Sequence, residues 1–375
     1  MTQDLKHIHL VLFFTRNVSL QTWAQIGSLE REIALYLRLQ EKSVKVSFVT
    51  YGGKQDLQYA KDLQDIDILC NRWNLPSRWY NRFLTFLHAK PLHHASVFKT
   101  NQTNGADIAL RAAKFWRKPL IARCGYMWSD LADFSERQEE AKQARQVERN
   151  VFSNAKRVVV TTPAIKEYAI KHYALAPEHV QVIPNYVLTD IFSAGAQKPQ
   201  ANRICFIGRL GEEKNIPALI QACMGLDVEL VLIGEGHLRA SLQEFAKQLG
   251  VNVSMPGNLS HHQLPDIIRK SAIFTLVSPH EGHPKSLLEA MSCGAAVLGA
   301  DSPGIREQIV HGETGWLCGT DAQSIRAGIQ HLLANPSLRE KLGGNARRFI
   351  EENYSLDKIV EMEYSLLQNV VGAQQ

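Results

Sequence analysis

Long apolar runs are missing from this 375-residue sequence. No stretch of about 18 or more apolar residues occurs, so the sequence predicts no membrane-spanning helix. The first residues, Met1–Lys6, show no apolar helix with a small-residue cleavage site, and they lead directly into the strand-like run Ile8–Phe14. We therefore expect a chain that is not exported and that works in the cytoplasm.

Cysteine is scarce, and its six positions show no CxxC spacing. This scatter excludes a disulfide framework and predicts buried free thiols in a reducing compartment. Low-complexity segments, internal repeats and recognised nucleic-acid-binding modules are also missing, so a repeat architecture and a nucleic-acid partner are not expected. Hydrophobic residues make up 45% of the chain, which is enough for two cores at this length.

Charge is distributed unevenly along the chain. Residues 1–195 carry 26 Lys and Arg against 18 Asp and Glu, a net charge of +8. The remainder carries 16 against 19, a net charge of −3. A basic first half suits an anionic partner, such as a membrane surface or an acidic acceptor, and a solvated basic face is the alternative.

Apolar runs alternate with helical patterns through the first half of the chain. The segment Gln21–Leu39 has apolar residues at helical spacing. After Ile8–Phe14, the strand-like runs are Lys45–Tyr51, Ile66–Cys70, Pro119–Arg123, Arg157–Thr161 and Val180–Ile183. This alternation predicts a parallel sheet that helices cover on both faces.

A second set of runs follows a break. Its strand-like runs are Arg203–Ile207, Val228–Ile233, Val251–Met255, Ile273–Val277, Ala296–Leu298 and Gly315–Leu317. The intervening helical patterns include Ile216–Met224 and Lys285–Ser292. Residues 193–202 lack apolar periodicity and predict a linker. The fold class is therefore α/β, with two doubly wound, Rossmann-like parallel-sheet domains, 1–192 and 203–353, expected to face each other across a cleft.

The first candidate binding loop follows the run Arg203–Ile207. Gly208 lets the backbone approach a ligand closely, while Arg209 and Lys214 suit phosphate oxygens. When a sugar leaves a nucleotide diphosphate, negative charge grows on the departing phosphate, and two cations would stabilise it. The alternative is that both side chains are merely solvated.

Two further loops follow strand-like runs. Gly234 and Gly236 suit close backbone approach to a nucleotide, with a plain turn as the alternative. Glu281 and Glu289 are separated by seven residues and suit sugar and ribose hydroxyls, although they could equally be an exposed pair. Pro284 favours a helix start, where unpaired N–H groups attract an anion.

The order of these motifs resembles the donor domain of family four of the glycosyltransferases, the retaining GT-B enzymes. The resemblance covers about residues 180–360 strongly and the first half of the chain loosely. The segments that carry it are Ile183–Tyr186, Phe206–Ile220, Val231–Arg239, Ala290–Gly294, Gly304–Glu307, Gly312–Gly315 and the stretch from Glu281 to Leu317.

The resemblance implies a role for each motif residue. Arg209, Lys214 and Glu281 would be catalytic, the first two on the donor diphosphate and Glu281 on the transferred sugar. The implied donor-binding residues are Gly208, Gly234, Gly236, Gly257, Gly282, His283, Pro284, Lys285, Ser286 and Glu289. Glu289 would contact the ribose, and the backbone near Gly257 would contact the base. No cofactor or metal is implied, and residues 354–370 would form a helix that crosses back onto the first domain.

The acceptor half departs from the family pattern. Members often carry a glycine pair after the first strand, where this sequence has Arg16–Leu20, and a histidine where it has Gly125. The usual acceptor-side histidine therefore has no evident counterpart. The candidates to replace it are Lys99, Asn101, Gln102 and Arg123, all expected at strand ends, with structural hydrogen bonding as the alternative for each.

Three other motifs are interpreted as surface features. His93–His94 and His261–His262 precede predicted elements and suit surface turns. Asp65 and Asp67 superficially resemble a metal-binding DxD motif, but they enter an apolar strand, so a capping or surface role is expected.

The resemblance thus implies a retaining, metal-independent enzyme that moves a hexose-type sugar from a nucleotide-diphosphate donor, for example a UDP-sugar, to an acceptor hydroxyl. The expected acceptor is a saccharide or lipid-linked saccharide at the inner membrane face, used for surface polysaccharide, lipopolysaccharide or glycolipid synthesis. One alternative is a nucleotide-sugar epimerase, against which the two spaced glutamates argue. The other is a non-enzymatic sugar-nucleotide-binding or scaffold protein, which the missing histidine favours.

Overall fold

The computed structural model describes residues 7–134, 136–195 and 199–372. Contacts divide the chain into a first unit, Met1–Pro184 with Ile359–Gln375, and a second unit, Asn185–Lys358. Each unit is built on one sheet whose strand pairs are all parallel.

The sheet of the first unit has seven strands. They are β1 (His9–Phe13), β2 (Lys45–Val49), β3 (Asp67–Leu69), β4 (Val97–Thr100), β5 (Leu120–Cys124), β6 (Arg157–Val160) and β7 (Val180–Val182). Their spatial order is β3-β2-β1-β4-β5-β6-β7. Every residue of β1 is buried, which means that both faces of the sheet are covered, as parallel strands require.

The helices of the first unit follow the strands. They are α1 (Leu20–Gln25), α2 (Leu29–Glu41), α3 (Ser77–Leu87), α4 (Ala89–His94), α5 (Ala106–Trp116), α6 (Trp128–Phe134), α7 (Gln138–Asn154) and α8 (Pro163–Tyr173), with 3-10 turns at Lys54–Lys61 and Pro177–His179. The predicted helix Gln21–Leu39 is wrong as one element, because Gly27 takes a left-handed φ of 72° and separates α1 from α2. Ser19 caps α1 by accepting a hydrogen bond from the Thr22 N–H.

The sheet of the second unit has six strands. They are β8 (Gln200–Ile207), β9 (Glu229–Ile233), β10 (Asn252–Gly257), β11 (Ser271–Leu276), β12 (Val297–Ala300) and β13 (Trp316–Cys318). Their spatial order is β10-β9-β8-β11-β12-β13. The chain therefore moves outward from β8 to β10 and then returns to the other side of β8 at β11. This reversal is the topological switch point at which ligands bind open parallel sheets.

The helices of the second unit connect these strands. They are α9 (Ile216–Cys223), α10 (Arg239–Gln248), α11 (Leu264–Lys270), α12 (Lys285–Ser292), α13 (Ala322–Ala334) and α14 (Pro336–Tyr354), with a 3-10 turn at Glu212–Lys214. The last helix, α15 (Leu356–Gly372), belongs from Ile359 onward to the first unit. Over the described residues, no helix combines the length and apolar character that crossing a membrane requires.

The predicted two-sheet α/β architecture is confirmed, and α12 begins and ends at the predicted residues. The contacts divide the chain at Pro184 and not at 192, because Val187 and Phe192 pack into the core of the second unit. The predicted linker 193–202 is too long at its end, since β8 already begins at Gln200. Residues 196–198 of that segment lie outside the described residues.

Candidate functional site

Three predicted binding loops lie at one edge of the second sheet. They follow β8, β9 and β11, which are neighbours in the order β9-β8-β11. Because all three strands are parallel, their carboxyl ends meet at the same edge. The loops that follow β8 and β11 therefore flank the topological switch point.

The first loop carries Lys214 to the switch point. The Lys214 ammonium donates to Glu281 Oε1 over 2.5 Å, and the two side chains are only 18% and 12% exposed. Asn215 fixes the loop, since its side-chain amide donates to the carbonyls of Val277 (3.1 Å) and Thr320 (2.7 Å). The structure thus brings together two of the predicted catalytic residues, which are 67 positions apart in the sequence.

Arg209 lies in the same loop but has a different partner. Its guanidinium donates to Glu213 Oε1 from Nε (2.9 Å) and from Nη2 (2.6 Å). The Arg209 side chain is 68% exposed, whereas that of Glu213 is 16% exposed. Glu213 therefore holds the Arg209 guanidinium at the exposed side of the loop, where an anion from solvent can reach it.

The glycine loop after β9 packs directly against the first loop. A Cβ atom on Gly234, whose φ is 136°, would lie 2.0 Å from the Gly208 carbonyl oxygen. A Cβ on Gly236 would lie 2.2 Å from the Leu210 carbonyl oxygen. These two glycines are therefore required for contact between the loops. Gly257, at the end of β10, accepts a hydrogen bond from the Gly234 N–H over 3.0 Å.

The loop after β11 positions Glu281. The Glu281 N–H donates to the Pro303 carbonyl over 3.0 Å, and Ser302 Oγ donates to the Ser278 carbonyl over 2.7 Å. Gly304 has a φ of 82°, and a Cβ on it would lie 2.2 Å from the Glu281 carbonyl oxygen. Gly304 belongs to one of the motifs that resemble family four, but that motif gave it no role. The positive φ of Gly304 and its close approach to the Glu281 carbonyl show that a residue without a side chain is needed beside the Glu281 loop.

The start of α12 is held by residues at the beginning of the second unit. Pro284 is the N-cap residue, and α12 begins at Lys285, so its first N–H groups point out of the helix at this edge. His283 is 5% exposed, and its Nδ1 accepts a hydrogen bond from the Asn185 N–H over 3.3 Å. The Asn185 side chain donates to the His283 carbonyl over 2.8 Å. The His283 ring therefore positions the loop, while its backbone remains the part predicted to contact the donor.

Glu289 is buried against a histidine that the sequence analysis placed elsewhere. Nε2 of His261 lies 3.1 Å from Glu289 Oε1, and the two side chains are 3% and 2% exposed. The Phe192 ring packs against the His261 ring, with centroids 4.6 Å apart. The prediction of a surface turn is therefore wrong for His261, although His262 is exposed. A residue that precedes a helix gives no sequence signal that its ring turns toward a carboxylate 28 positions away.

Among the acceptor-side candidates, Lys99 is the penultimate residue of β4, and its side chain is buried. Its ammonium donates to Glu363 Oε1 over 2.6 Å, and the side chains are 1% and 2% exposed. Burial lowers the pKa of Lys99, and the Glu363 carboxylate opposes that shift. This buried ion pair fastens α15 to the first sheet, which gives Lys99 a structural role.

The other acceptor-side candidates lie at the carboxyl ends of β4 and β5. Gln102 Oε1 accepts a hydrogen bond from the Gly125 N–H over 2.9 Å. A Cβ on Gly125 would lie 2.7 Å from Gln102 Nε2 and 3.3 Å from Arg123 Nη1. The Asn101 N–H donates to the Phe13 carbonyl over 2.8 Å. Gln102 and Arg123 therefore surround the position where the family often has a histidine, and each is partly exposed.

Metal-ligand chemistry is not evident in residues 7–134, 136–195 and 199–372, where no group of three or more His, Cys, Asp and Glu is placed to hold an ion. Asp67 of the DxD-like motif accepts hydrogen bonds from Lys45 Nζ and Ser47 Oγ, each over 3.2 Å. His93 and His94 are exposed at the end of α4.

Similar proteins point to the same family. An uncharacterized glycosyltransferase of Methanocaldococcus jannaschii is 26% identical over 59% of this chain and 60% of its own length, so the match spans less than two thirds of that relative. HepE of Anabaena, solved in complex with UDP and glucose, has a TM-score of 0.77 at 16% identity, over 97% of this chain and 100% of the other. The lipopolysaccharide outer core galactosyltransferase WaaB has a TM-score of 0.69 at 18% identity, over 98% and 100%. Both structures share the fold of this chain.

Two family models match consecutive parts of the sequence. The model of glycosyltransferase family 4 matches residues 33–190. The model of glycosyl transferases group 1 matches residues 189–349. Together they cover residues 33–349, which include strands β2 to β7 of the first sheet, the whole second sheet and all three candidate donor loops. The chain is therefore a member of glycosyltransferase family four, with the GT-B fold.

Proposed function

We propose that the protein transfers a hexose-type sugar from a nucleotide-diphosphate donor, with UDP as the expected nucleotide, to an acceptor hydroxyl. The observation that carries this proposal is the ion pair between Lys214 and Glu281 at the switch point of the second sheet. A cation and a carboxylate at this place suit the two ends of a nucleotide sugar, the diphosphate and the sugar hydroxyls. HepE, a structure with the same fold, was solved with UDP and glucose.

Lys214 and Arg209 would stabilise the leaving diphosphate. As the bond between the sugar and the outer phosphate breaks, negative charge grows on that phosphate, and preorganised cations lower the energy of this state most. The Lys214 ammonium is already held in place by Glu281, while the exposed Arg209 guanidinium is held by Glu213. Both cationic side chains are therefore oriented by a carboxylate before the donor binds.

The transfer would retain the configuration of the sugar. In this mechanism the acceptor oxygen forms its bond to the anomeric carbon on the face from which the phosphate oxygen departs. The acceptor proton passes to the departing phosphate oxygen, so the proposed reaction needs no additional base and no metal. Glu281 would bind hydroxyls of the transferred sugar, since its carboxylate lies 2.5 Å from the cation that binds the phosphate.

The remaining donor contacts would come from the same edge of the sheet. The first N–H groups of α12, from Lys285 onward, suit an oxygen of the diphosphate. Glu289 would accept hydrogen bonds from the ribose, with His261 fixing the orientation of its carboxylate. The backbone at Gly257 would contact the base. No cofactor takes part in this scheme.

The proposed acceptor is a saccharide or a lipid-linked saccharide at the cytoplasmic face of the inner membrane. The net charge of +8 over residues 1–195 supports an anionic partner for the first unit. WaaB, which shares this fold, is named a lipopolysaccharide outer core galactosyltransferase. Gln102 and Arg123 beside Gly125 would occupy the place of the missing histidine and contact the acceptor. The product would enter surface polysaccharide or glycolipid synthesis.

Incubation with a panel of radiolabelled nucleotide sugars and a bacterial membrane extract tests this proposal. We expect label from one donor to move to a lipid or saccharide fraction, and the released nucleotide to appear in equal amount. Omission of the extract should abolish both. Isomerised donor without acceptor would indicate an epimerase instead, and donor binding with no product from any donor would indicate a non-enzymatic binding protein.

A further inference from the structure

We propose that an exposed aromatic and basic face of the first unit binds the surface of an anionic lipid bilayer. Four exposed aromatic side chains define this aromatic–basic face: Trp79 (42%), Phe83 (41%) and Phe86 (57%) of α3, and Phe115 (52%) of α5. The inference rests on the proposed function in one respect: binding to the membrane would bring the enzyme to an acceptor on that membrane. Its physical basis is independent of the donor site.

The aromatic side chains form a strip of two contacting pairs. Trp79 and Phe83 are stacked, with ring centroids 5.8 Å apart and planes within 9° of each other. Phe86 meets Phe115 edge to face, with centroids 5.0 Å apart. Since Trp79, Phe83 and Phe86 are spaced by four and three residues, they share one side of α3. The opposite side of α3 is buried in the core through Tyr80 and Leu84.

Arginine side chains border this strip. A pocket of about 520 Å³ is lined by Trp79 together with Arg16, Arg78, Arg82 and Arg111. Asp107 supplies the one carboxylate among its lining residues, all of which are described, and it is paired with Arg16 over 2.6 Å. Three guanidinium groups therefore remain without a carboxylate in the lining. Such a pocket suits the phosphate of a lipid headgroup, because guanidinium groups bind phosphate oxygens in a bidentate manner.

The surrounding sequence extends the positive charge. Residues 68–129 contain ten Lys and Arg but a single acidic residue, Asp107. Lys90, Lys114 and Arg117 are exposed on α4 and at the end of α5. Basic residues next to interfacial aromatic side chains are the composition that binds anionic membranes, where headgroups meet the cations and rings enter the interface.

A second copy of the chain is a poorer occupant for this face than a bilayer. Pairing two such faces would bring two sets of arginines together, and like charges brought close repel each other. An anionic bilayer supplies opposite charge and an apolar layer at the same surface. The geometry therefore favours lipid over self-association.

Sedimentation with vesicles tests the inference. The intact chain should pellet with vesicles of phosphatidylglycerol in phosphatidylcholine and remain in the supernatant with phosphatidylcholine alone. The variant Arg78→Gln/Arg82→Gln/Arg111→Gln should bind the anionic vesicles roughly 100-fold more weakly, since each basic residue contributes about fivefold. Phe83→Ser/Phe86→Ser should bind about tenfold more weakly at unchanged net charge.

Matched controls separate this face from general charge and hydrophobicity. Lys247→Gln/Lys341→Gln/Arg348→Gln removes the same charge from exposed positions of the second unit, and Met224→Ser/Val310→Ser removes exposed apolar groups there. Both controls should bind vesicles like the intact chain. Equal loss in the controls and the face variants would overturn the inference.

Two further measurements keep the test separate from the donor site and from self-association. UDP binding by calorimetry should be the same in the face variants and the intact chain, which shows that the second unit is intact. Sedimentation velocity should give the same molecular mass for all of them. A dimer that the Phe83→Ser/Phe86→Ser variant dissociates would assign the face to a second copy and overturn the lipid assignment.

Discussion

The Lys214→Ala variant is expected to lower the turnover number of sugar transfer by about 10²- to 10³-fold, the scale for loss of one preorganised group that stabilises a developing oxyanion. Lys214 is 18% exposed and ion-paired with Glu281, so its ammonium is positioned before the donor arrives. Its removal leaves Glu281 without its cation and with a negative charge close to the donor phosphate. The turnover number should fall more than the apparent affinity, because the interaction strengthens as phosphate charge develops.

The matched control is Lys247→Ala, which removes an ammonium from the exposed part of α10 and should leave turnover unchanged. Lys214→Arg should recover part of the rate, since it keeps the charge but not the shape of the group. Initial rates across donor concentrations separate the turnover number from the apparent affinity. A Lys214→Ala enzyme that turns over like the Lys247→Ala control would remove Lys214 from the catalytic assignment.

The Lys99→Met variant is expected to destabilise the first unit by about 3–5 kcal/mol, the cost of leaving one charge of a buried pair without its partner. Lys99 and Glu363 are 1% and 2% exposed and are joined over 2.6 Å. Within the described residues, Glu363 Oε2 already has no hydrogen-bond partner, so loss of the ammonium would leave the whole carboxylate unsatisfied. Glu363→Leu should destabilise the unit by a similar amount through an unpaired ammonium.

The double variant Lys99→Met/Glu363→Leu is the control for this pair. It removes both charges and keeps the volume, so its stability should equal or exceed that of the intact chain. Urea unfolding followed by tryptophan fluorescence reports on the first unit, which holds Trp23, Trp73, Trp79, Trp116 and Trp128 of the six tryptophans. Additive losses in the double variant would contradict the buried pair.

Local patterns predicted most of the architecture, but the predicted strand-like runs did not include β4 (Val97–Thr100), which pairs with β1. Apolar runs bounded by polar turns predicted both parallel sheets, and Pro284 predicted the start of α12. The resemblance to family four of the glycosyltransferases implied that Lys214 and Glu281 act on one donor, although 67 positions separate them. These features are predictable because each depends on a few neighbouring residues and on the rule that parallel strands end at one edge.

The remaining features depend on contacts that no local pattern encodes. Lys99 and Glu363 are 264 positions apart, and a charged residue taken alone predicts an exposed side chain. His261 was predicted at the surface, yet it is buried beside Glu289 and packs against the Phe192 ring. Nothing in the sequence near Gly304 indicates that its backbone lies against the backbone of Glu281.

Glu289 and Lys214 together define the nucleotide end of the proposed site, and calorimetric titration with UDP tests that site most directly. The intact chain should bind UDP, and Glu289→Ala should bind it about 10- to 100-fold more weakly, since hydrogen bonds to a charged group contribute about 1.5–3 kcal/mol. Glu289→Gln keeps a side-chain oxygen that can contact His261 Nε2. Thermal melting curves of both variants would show whether a loss of UDP affinity results from unfolding. Glu244→Ala, an exposed glutamate of α10, serves as the matched control.

We expect UDP affinity to fall in Lys214→Ala and in both Glu289 variants and to stay unchanged in Glu244→Ala. Unchanged UDP affinity in the folded Lys214 and Glu289 variants, or no binding of any nucleoside diphosphate to the intact chain, would contradict this expectation.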